Sequence, residues 1–341
     1  MRGFRAVLAF SVALACATSA RAQDVADFYR GKTVSLILSS APGGGYDTMS
    51  RAVARFLPRH IPGNPQVIVR NMPGAGGIVA TNHIAKVAPR DGLTIAGLQN
   101  NTPFEPLFGT KEADYDPTRM IWLGTPSRET ATLFAWHATP FASLDDVRRK
   151  EMTVGASGAN STPSFYARLL NEVLGLKLKV VAGYPGQNEA YIAMERGELD
   201  GYGMTFWSSL VSTKPHWVKD RKIRVLLQYG SEIEPELAGV PFGSDLITKE
   251  NDRLLFEAAC GPIAAGRPYA APPEVPRERA AALRAAMMAT WRDPDFLAEA
   301  ARLQIPVAGS KSGEELQETI SRIYRTPPDI VARLRAISQN F

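Results

Sequence analysis

Residues 33–47 constrain the fold more than any other stretch of this sequence. An apolar run that includes Val34, Leu36 and Leu38 predicts a buried strand. Pro42 ends that strand, and the glycines at 43–45 predict a turn. Apolar residues at helical spacing follow Asp47, a good N-cap candidate. The free N–H groups at such a helix start favour an anion, although many glycine turns bind nothing.

The order of strand, turn and helix recurs along the chain. A glycine turn at 71–77 lies between a predicted strand at 67–69 and a predicted helix at 78–87. A turn of small residues at 155–162 precedes a predicted helix at 163–174. Further strands are predicted at 93–98, 120–124, 132–136, 178–182, 202–206 and 224–228. This repetition predicts an α/β fold with parallel strands and crossover helices.

The C-terminal part has a different pattern. Residues 264–276 are rich in proline, alanine and glycine, and we expect them to be extended. Helices without clear strands between them are predicted at 277–291, 296–303, 313–324 and 330–337, packed on the first sheet. The chain has 341 residues, more than one hydrophobic core usually supports, so we expect two domains.

The first 22 residues predict a secretory signal peptide. Arg2 and Arg5 precede a largely apolar run at 6–18, and Ala20 and Ala22 fit a small-x-small cleavage site. We expect cleavage after Ala22 and a periplasmic mature protein. A lipoprotein signal with Cys16 as the lipidated residue is a rival that fits its pattern poorly. No later apolar run is long enough to predict a membrane span.

Processing also changes the charge and cysteine content. The net charge of +5 includes Arg2, Arg5 and Arg21, so most of the excess leaves with the signal peptide. The remaining charge gives no case for nucleic-acid binding. Of the two cysteines, Cys16 leaves as well and Cys260 remains alone, so we expect no internal disulfide and an inert buried thiol.

The motifs of common enzymes are incomplete in this chain. The glycines at 43–45 lack the lysine of a phosphate-binding loop, and Val79 replaces the third glycine of a dinucleotide fingerprint. The turn at 155–159 resembles a nucleophile elbow but ends in Ala159. The histidines are scattered without metal-ligand spacing. We therefore expect no enzyme, metal or cofactor; a secreted hydrolase using Ser157 or Ser161 is the alternative, and it needs a histidine beside that serine.

Polar turns at the ends of predicted strands form the candidate ligand site. Hydroxyl groups and backbone N–H groups on two facing halves would suit a carboxylate without catalysis. The candidates from the first half are Ser39, Ser40, Ala41, Gly44, Gly45 and Asn100. Those from the second half are Ser157, Gly158, Asn160, Ser161, Thr162, Tyr184, Gly186 and Phe206. Tyr184, Phe206 and Trp207 are candidates for stacking on an aromatic acid, although at least one is expected to pack in the core.

Several motifs together resemble one family. Ala41-Pro-Gly-Gly-Gly-x-Asp47, Asn71-x-Pro-Gly-Ala-Gly-Gly77, Pro89-x-Asp-Gly-x-Thr94 and Tyr115-Asp-Pro117 occur in this order and spacing. They are similar to the substrate-binding proteins of tripartite tricarboxylate transporters, the Bug receptors. The resemblance continues more weakly beyond residue 240. Ser39 and Ser40 stand where the family usually has Pro-Phe, which marks them as candidates for ligand specificity.

The resemblance implies two Rossmann-like α/β domains around a cleft, the Venus-flytrap fold of type II periplasmic binding proteins. It implies a first domain from both chain ends, at 23–124 and 246–341, and a second at 125–245. It also implies that the loops 40–47 and 157–162 bind a ligand carboxylate, that the protein is a monomer, and that it delivers the ligand to a membrane permease. A sensor that feeds a membrane receptor is a further alternative. We expect Asp47 to shape its loop without touching the ligand.

Overall fold

The computed structural model describes residues 24–43, 45–158, 161–230 and 232–339. The predicted signal peptide with its cleavage site, and the site candidates Gly44 and Asn160, lie outside the described residues.

The described strands and helices follow the predicted α/β pattern. The strands are Thr33–Leu38 (β1), Gln66–Asn71 (β2), Thr94–Gly97 (β3), Ile121–Thr125 (β4), Thr130–Trp136 (β5), Met152–Ala156 (β6), Leu178–Ala182 (β7), Gly201–Phe206 (β8), Ile223–Gly230 (β9), Tyr269–Ala271 (β10) and Lys311–Ser312 (β11). The helices are residues 24–29 (α1), Gly45–Phe56 (α2), Ile78–Lys86 (α3), Glu105–Phe108 (α4), Leu144–Arg149 (α5), Thr162–Leu174 (α6), Gln187–Glu195 (α7), Trp207–Thr213 (α8), Pro215–Lys219 (α9), Glu250–Ala259 (α10), Gly261–Ala265 (α11), Arg277–Arg292 (α12), Pro294–Arg302 (α13), Gly313–Ile323 (α14) and Pro328–Gln339 (α15).

The strands form two mixed sheets. Within the described residues, one sheet has the order β11-β4-β10-β3-β1-β2 and the other has the order β7-β6-β8-β5-β9. In the first, β1 pairs in parallel with β2 and β3, whereas β10 and β11 pair antiparallel with their neighbours. In the second, β6 pairs in parallel with β7 and β8, and β5 pairs antiparallel with β8 and β9. The α/β class is confirmed.

The chain forms two compact units. Of the described residues, unit 1 comprises those up to Thr102, those of Glu112–Ser127 and those of Arg267–Glu318. Unit 2 comprises the described residues of Pro103–Lys111, of Arg128–Gly266 and from Thr319 onwards. The predicted domain boundaries assign 246–266 and 319–341 to the first domain, whereas the described residues of both segments belong to unit 2. The Tyr166 hydroxyl donates to the Ala259 carbonyl at 2.9 Å, and Arg333 donates to Glu172 at 2.8 Å.

The core of unit 1 explains why its first strand and helix form. Val34, Leu36 and Leu38 of β1 are buried, as the apolar run predicts. The helix α2 packs on this sheet through Met49 and Val53, which recur at helical spacing. Each such side chain contributes roughly 1.5–3 kcal/mol by leaving water, so this core fixes the carboxyl end of β1 against the start of α2.

The core of unit 2 is an aromatic cluster. Tyr191 lies 4.9 Å from Trp217 and 5.2 Å from Tyr202 between ring centroids. Phe134 of β5 joins the same cluster. Aromatic pairs at these distances contribute about 0.5–1.5 kcal/mol beyond burial, so they hold α7, α9 and β8 together beneath the loops of unit 2.

Two short strands of the C-terminal part belong to the sheet of unit 1. The strand β10 lies in the segment that was predicted to be extended, whereas β11 lies between two predicted helices, where no strand was predicted. They span three and two residues, which is too short to show a period of two. None of the described helices is long and apolar enough to cross a membrane.

Candidate functional site

The loops after β1, β2 and β3 meet at one edge of the unit 1 sheet. These strands are parallel, with Leu38 level with Asn71 and with Gly97, so their carboxyl ends coincide. The strand β10 runs the other way, and its first residue, Tyr269, pairs with Gly97. The segment before β10 therefore reaches the same edge, where ligands bind in open α/β sheets. We call it the unit 1 edge.

Ser39 and Ser40 have different environments at this edge. Ser39 is 1% exposed, and its hydroxyl oxygen accepts the backbone N–H of Gln99 at 2.8 Å. Ser39 thus joins the loop after β1 to the loop after β3. Ser40 Oγ is buried and has no hydrogen-bond partner among the described residues. Because a buried hydroxyl is costly when unpaired, Ser40 is the better placed of the two to bond a ligand.

Asp47 lies inside helix α2 and is not its N-cap, since the helix begins at Gly45. Its carboxylate accepts the backbone N–H of Gly43 at 3.0 Å and Nε of Arg51 at 2.9 Å. A third bond, from Asn71 Nδ2 at 2.9 Å, reaches the other oxygen. The Arg51 hydrogen bond, aided by Gly43 and Asn71 and opposed by burial, lowers the pKa of Asp47 to about 2. These partners agree with a role for Asp47 in shaping the loop.

Asn71 explains why the first two motifs of the sequence occur together. Its side-chain amide donates to the Ser40 carbonyl at 3.0 Å as well as to Asp47. Its oxygen accepts from Arg51 at 3.0 Å. The second motif ends at Gly77, where φ is +98° and a Cβ would lie 2.9 Å from Thr102. The motif residues therefore bind the three loops of the unit 1 edge to one another.

Tyr46 and Arg267 also lie at the unit 1 edge, although neither was predicted from the sequence as a site residue. The Tyr46 hydroxyl accepts the backbone N–H of Asn100 at 3.2 Å, which places the candidate Asn100 beside the start of α2. The Arg267 guanidinium lies 5.5 Å from the Tyr46 ring centroid and donates to the Gly45 carbonyl at 3.1 Å. Tyr46 is the variable position of the first motif. Arg267 precedes a three-residue strand, and no sequence pattern around it indicates a ligand site. Ala41 and Gly45 are exposed at the same edge.

The corresponding edge of unit 2 gathers the second set of candidates. The carboxyl ends of β6, β7 and β8 lie along it, because β6 is parallel to both neighbours. The strand β5 runs antiparallel to β8, with Ala131 opposite Phe206, so β5 begins at this edge. The strand β9 ends there, with Gly230 opposite Thr130. We call it the unit 2 edge.

Hydrogen bonds from two serines close the small-residue turn of unit 2. Ser161 and Ser164 donate through Oγ to the Gly158 carbonyl at 2.7 and 2.6 Å. Thr162 is exposed at the start of α6, and Ser157 is exposed after β6. Among the described residues, no histidine is hydrogen-bonded to Ser157 or Ser161. The hydrolase alternative required such a histidine, so this arrangement does not support it.

The aromatic candidates of unit 2 divide between core and surface. Trp207 is buried in the aromatic cluster, and its indole N–H donates to Glu236 at 2.8 Å. Tyr184 packs against the cluster but is half-buried, and its pKa is raised by burial and by Glu198. Phe206 is half-buried at the end of β8. Gly186 precedes α7, where Gln187 Nε2 donates to Thr205 Oγ1 at 2.8 Å. Trp207 is the member of this group that packs in the core.

A buried acid at the unit 2 edge was also missed. Glu129 precedes β5, is 3% exposed and accepts the Ser208 hydroxyl at 2.6 Å. Its neighbours in sequence are ordinary polar residues, so only the antiparallel pairing of β5 shows where it lies. Cys260 is buried, and burial raises its pKa, which agrees with an inert thiol. The described residues contain no cluster of histidine, cysteine, aspartate and glutamate that could hold a metal ion.

Comparison with known proteins identifies the relatives of this chain. A model of the family described as "Tripartite tricarboxylate transporter family receptor" matches residues 50–312. A UPF0065 protein of Agrobacterium vitis is 28% identical over 188 residues, which are 51% of each chain. The protein BugT of Bordetella pertussis is 38% identical over 78 residues, which are 23% of each chain. The chain thus matches about half of the length of the first relative and about a quarter of the length of the second.

Solved structures share the fold at low identity. A TctC solute-binding protein from Polaromonas, without ligand, has a TM-score of 0.73 and 19% identity, covering 92% of this chain and 100% of that one. MatC of Rhodopseudomonas palustris with bound malate has a TM-score of 0.56 and 19% identity, covering 90% and 99%. An R. palustris protein with adipate has a TM-score of 0.57 and 18% identity, covering 90% and 96%. At these identities the likeness establishes the fold.

Proposed function

The chain belongs to the tripartite tricarboxylate transporter receptor family, whose members are substrate-binding proteins and not enzymes, and on this premise we propose that it binds a small organic carboxylate in the periplasm. We further propose that it delivers this ligand, as a monomer, to the membrane permease of such a transporter. The family resemblance seen in the sequence is confirmed. Both the carboxylate ligand and the permease partner are part of the proposal.

One observation carries the proposal: the glycine loop before α2 is held in place by protein contacts. Asp47 and Asn71 fix the backbone at Gly43 and Ser40, and Ser39 fixes the loop after β3. An N–H group that is already oriented toward a ligand costs no reorganisation when an anion arrives. The start of a twelve-residue helix adds a favourable dipole. Such a loop suits a carboxylate and needs no cofactor.

The proposed ligand contacts are the candidates of the sequence analysis. At the unit 1 edge we propose Ser40 Oγ and the backbone of Ala41, Gly44 and Gly45, with Asn100 beside them. At the unit 2 edge we propose Ser157, Gly158, Asn160, Ser161 and Thr162, with Tyr184, Gly186 and Phe206. Contact between Ser39 and the ligand stays a prediction, since its hydroxyl already bonds Gln99. Malate and adipate are bound by structures of the same fold, so dicarboxylates head the ligand panel.

Calorimetry and thermal unfolding of the mature chain test this function. The panel contains malate, succinate, adipate, citrate and benzoate. The diol with the carbon chain of adipate, hexanediol, is the uncharged control. A ligand at about 100 times its Kd stabilises the folded state by about 2.7 kcal/mol. We expect at least one acid to do so and the diol to have no effect. If no acid of the panel binds or stabilises the protein, the proposed function is wrong.

A glycine variant tests the loop of unit 2 separately from folding. A Cβ added at Gly158 would meet no atom within 4 Å, and this glycine does not have a positive φ. Gly158→Val should therefore leave the melting temperature unchanged and yet weaken ligand binding by filling the space beside the loop. Unchanged affinity in this folded variant would remove Gly158 from the ligand contacts.

The predicted export is tested on the precursor. Arg2, Arg5 and the apolar run predict transport across the inner membrane, with Gln23 as the new N-terminus. N-terminal sequencing of protein recovered from the periplasmic fraction should begin at Gln23. A mature chain that retains Met1 and stays with the cytoplasmic fraction would contradict it.

A further inference from the structure

Arg267 places a cation at the unit 1 edge, at the very start of helix α2. It comes from the segment before β10, more than 200 residues after the glycine loop, and reaches the loop because β10 is antiparallel to β3. Its Nη1 donates to the carbonyl of Gly45 at 3.1 Å. The guanidinium is therefore bonded to Gly45, one of the proposed backbone contacts of the loop.

Two anchors keep Arg267 in this position. Its backbone N–H donates to Oγ1 of Thr125, the last residue of β4, at 2.9 Å. Its guanidinium carbon lies 5.5 Å from the ring centroid of Tyr46, within the range of a cation–π contact. Tyr46 is itself held, since its hydroxyl accepts the N–H of Asn100 at 3.2 Å. A side chain held in this way loses little entropy when it binds a ligand.

Gly45 gives the guanidinium the room that it needs. A Cβ at position 45 would lie 3.3 Å from Nη1 and 3.9 Å from Nη2 of Arg267. A methyl group on the first residue of α2 would therefore require the guanidinium to shift by a few tenths of an ångström. The glycine thus allows close approach of a planar cation to the helix start.

The charges of helix α2 do not oppose an anion next to Arg267. The nearest acid on the same helix is Asp47, and its carboxylate is already bonded to Arg51, Gly43 and Asn71. It therefore does not oppose a ligand carboxylate with an uncompensated charge. The positive end of α2 acts in the same direction as Arg267. A guanidinium presents N–H donors in a planar fork that matches a carboxylate.

We infer that Arg267, held over Tyr46, is a specificity-determining residue that binds a carboxylate of the ligand and favours dicarboxylates over monocarboxylates. This inference rests on the proposed function. Backbone N–H groups of the loop serve any carboxylate, whereas the attraction of a fixed cation increases with the charge of the ligand. Arg267 thereby selects ligands by their charge.

The test compares matched ligand pairs and matched arginine variants. Succinate is paired with butyrate and adipate with hexanoate, and Kd is measured by calorimetry at two salt concentrations. The variants are Arg267→Gln and Arg267→Lys. The control is Arg279→Gln, because Arg279 also donates to a backbone carbonyl, that of Asp91 at 2.9 Å, and also stacks on an aromatic ring, that of Phe28 at 3.4 Å. Asp91 precedes β3, so Arg279 lies near the amino end of β3, whereas the unit 1 edge lies at its carboxyl end.

The wild type should bind a dicarboxylate more tightly than its monocarboxylate partner. Arg267→Gln should weaken dicarboxylate binding by roughly tenfold or more, as for a lost charge-assisted bond, and monocarboxylate binding by much less. Arg267→Lys should keep part of the preference and its salt dependence. Arg279→Gln should leave every Kd unchanged. Melting temperatures of all variants verify that they are folded.

Two outcomes overturn the inference and are distinguishable from failure of the proposed function. An Arg267→Gln protein that is folded and keeps the wild-type ratio of the two Kd values excludes Arg267 as the source of selectivity. A wild type that binds carboxylates but has no preference for the diacid does the same. Absence of binding to any carboxylate refutes the proposed function, and with it the inference.

Discussion

Removal of the Asp47 charge tests the hydrogen bonds that join Asp47 to Gly43, Arg51 and Asn71, the loop network of the unit 1 edge. The Asp47 side chain is 5% exposed, but its partner Arg51 is 49% exposed, so solvent screens part of this ion pair. Arg51, Gly43 and Asn71 lower its pKa from 3.8 to about 2. At about 1.4 kcal/mol per pKa unit, the charged form stabilises the folded state by about 2 kcal/mol. As a simple N-cap, Asp47 would contribute about 1 kcal/mol.

The pH dependence gives the sign of this contribution. The pKa of Asp47 is depressed in the folded state, so the stabilisation is complete above the unfolded pKa near 4 and decreases as pH falls toward 2. Asp47→Asn keeps the shape of the side chain and removes the charge. We expect the variant to be less stable by about 2 kcal/mol at about pH 7 and pH 5, and by roughly half of that at about pH 3.

Urea unfolding at these three pH values measures the difference, and hydrogen exchange of peptides from β1 and α2 assigns it to unit 1. Asp114→Asn is the matched control, since Asp114 is 79% exposed and pairs with Lys86 on the surface of the same unit. Such surface pairs contribute less than about 1 kcal/mol. An Asp47→Asn protein as stable as the wild type at pH 7 would refute the reasoning. So would a difference that is the same at pH 3 as at pH 7.

Three further predictions follow from the structure. Asn71→Leu removes two side-chain donors of the loop network and should destabilise the protein by about 2 kcal/mol in urea unfolding; wild-type stability would contradict this. Gly77→Ala places a Cβ 2.9 Å from Thr102 at a φ of +98°, so it should lower the free energy of unfolding by more than about 1 kcal/mol and lower the melting temperature with it. An unchanged melting temperature would show that the loop relaxes freely. Cys260, 3% exposed and with a raised pKa, should react with a thiol reagent only after unfolding, so fast reaction of the native protein would place it at an accessible site.

The loops of the candidate site were predictable because each follows from a local pattern. The apolar run before Ser39 and the helical spacing after Asp47 locate the carboxyl end of β1 and the start of α2. The turn at 155–162 locates the corresponding place before α6 in the same way. Parallel strands then bring such loops to a common edge, whatever the details of packing.

The roles of individual side chains were not predictable in the same way. Asp47 has the composition of an N-cap, but the helix begins at Gly45, and the carboxylate reaches back to Gly43. Ser39 and Ser40 are alike in sequence. Only the packing of the loop after β3 gives the Ser39 hydroxyl a partner in Gln99, whereas the Ser40 hydroxyl has no partner among the described residues.

The sequence by itself determined the α/β class, the position of most strands and the family. Apolar periodicity, turn residues and motif spacing are local properties that survive without knowledge of the partner segments. The tertiary structure alone decided that β10 and β11 complete the unit 1 sheet. It also decided that Arg267 lies at the unit 1 edge and Glu129 at the unit 2 edge. Antiparallel pairing joins residues such as Tyr269 and Gly97 across a long separation in the chain. No local pattern encodes that choice, because it depends on which strand edge the folded core leaves open.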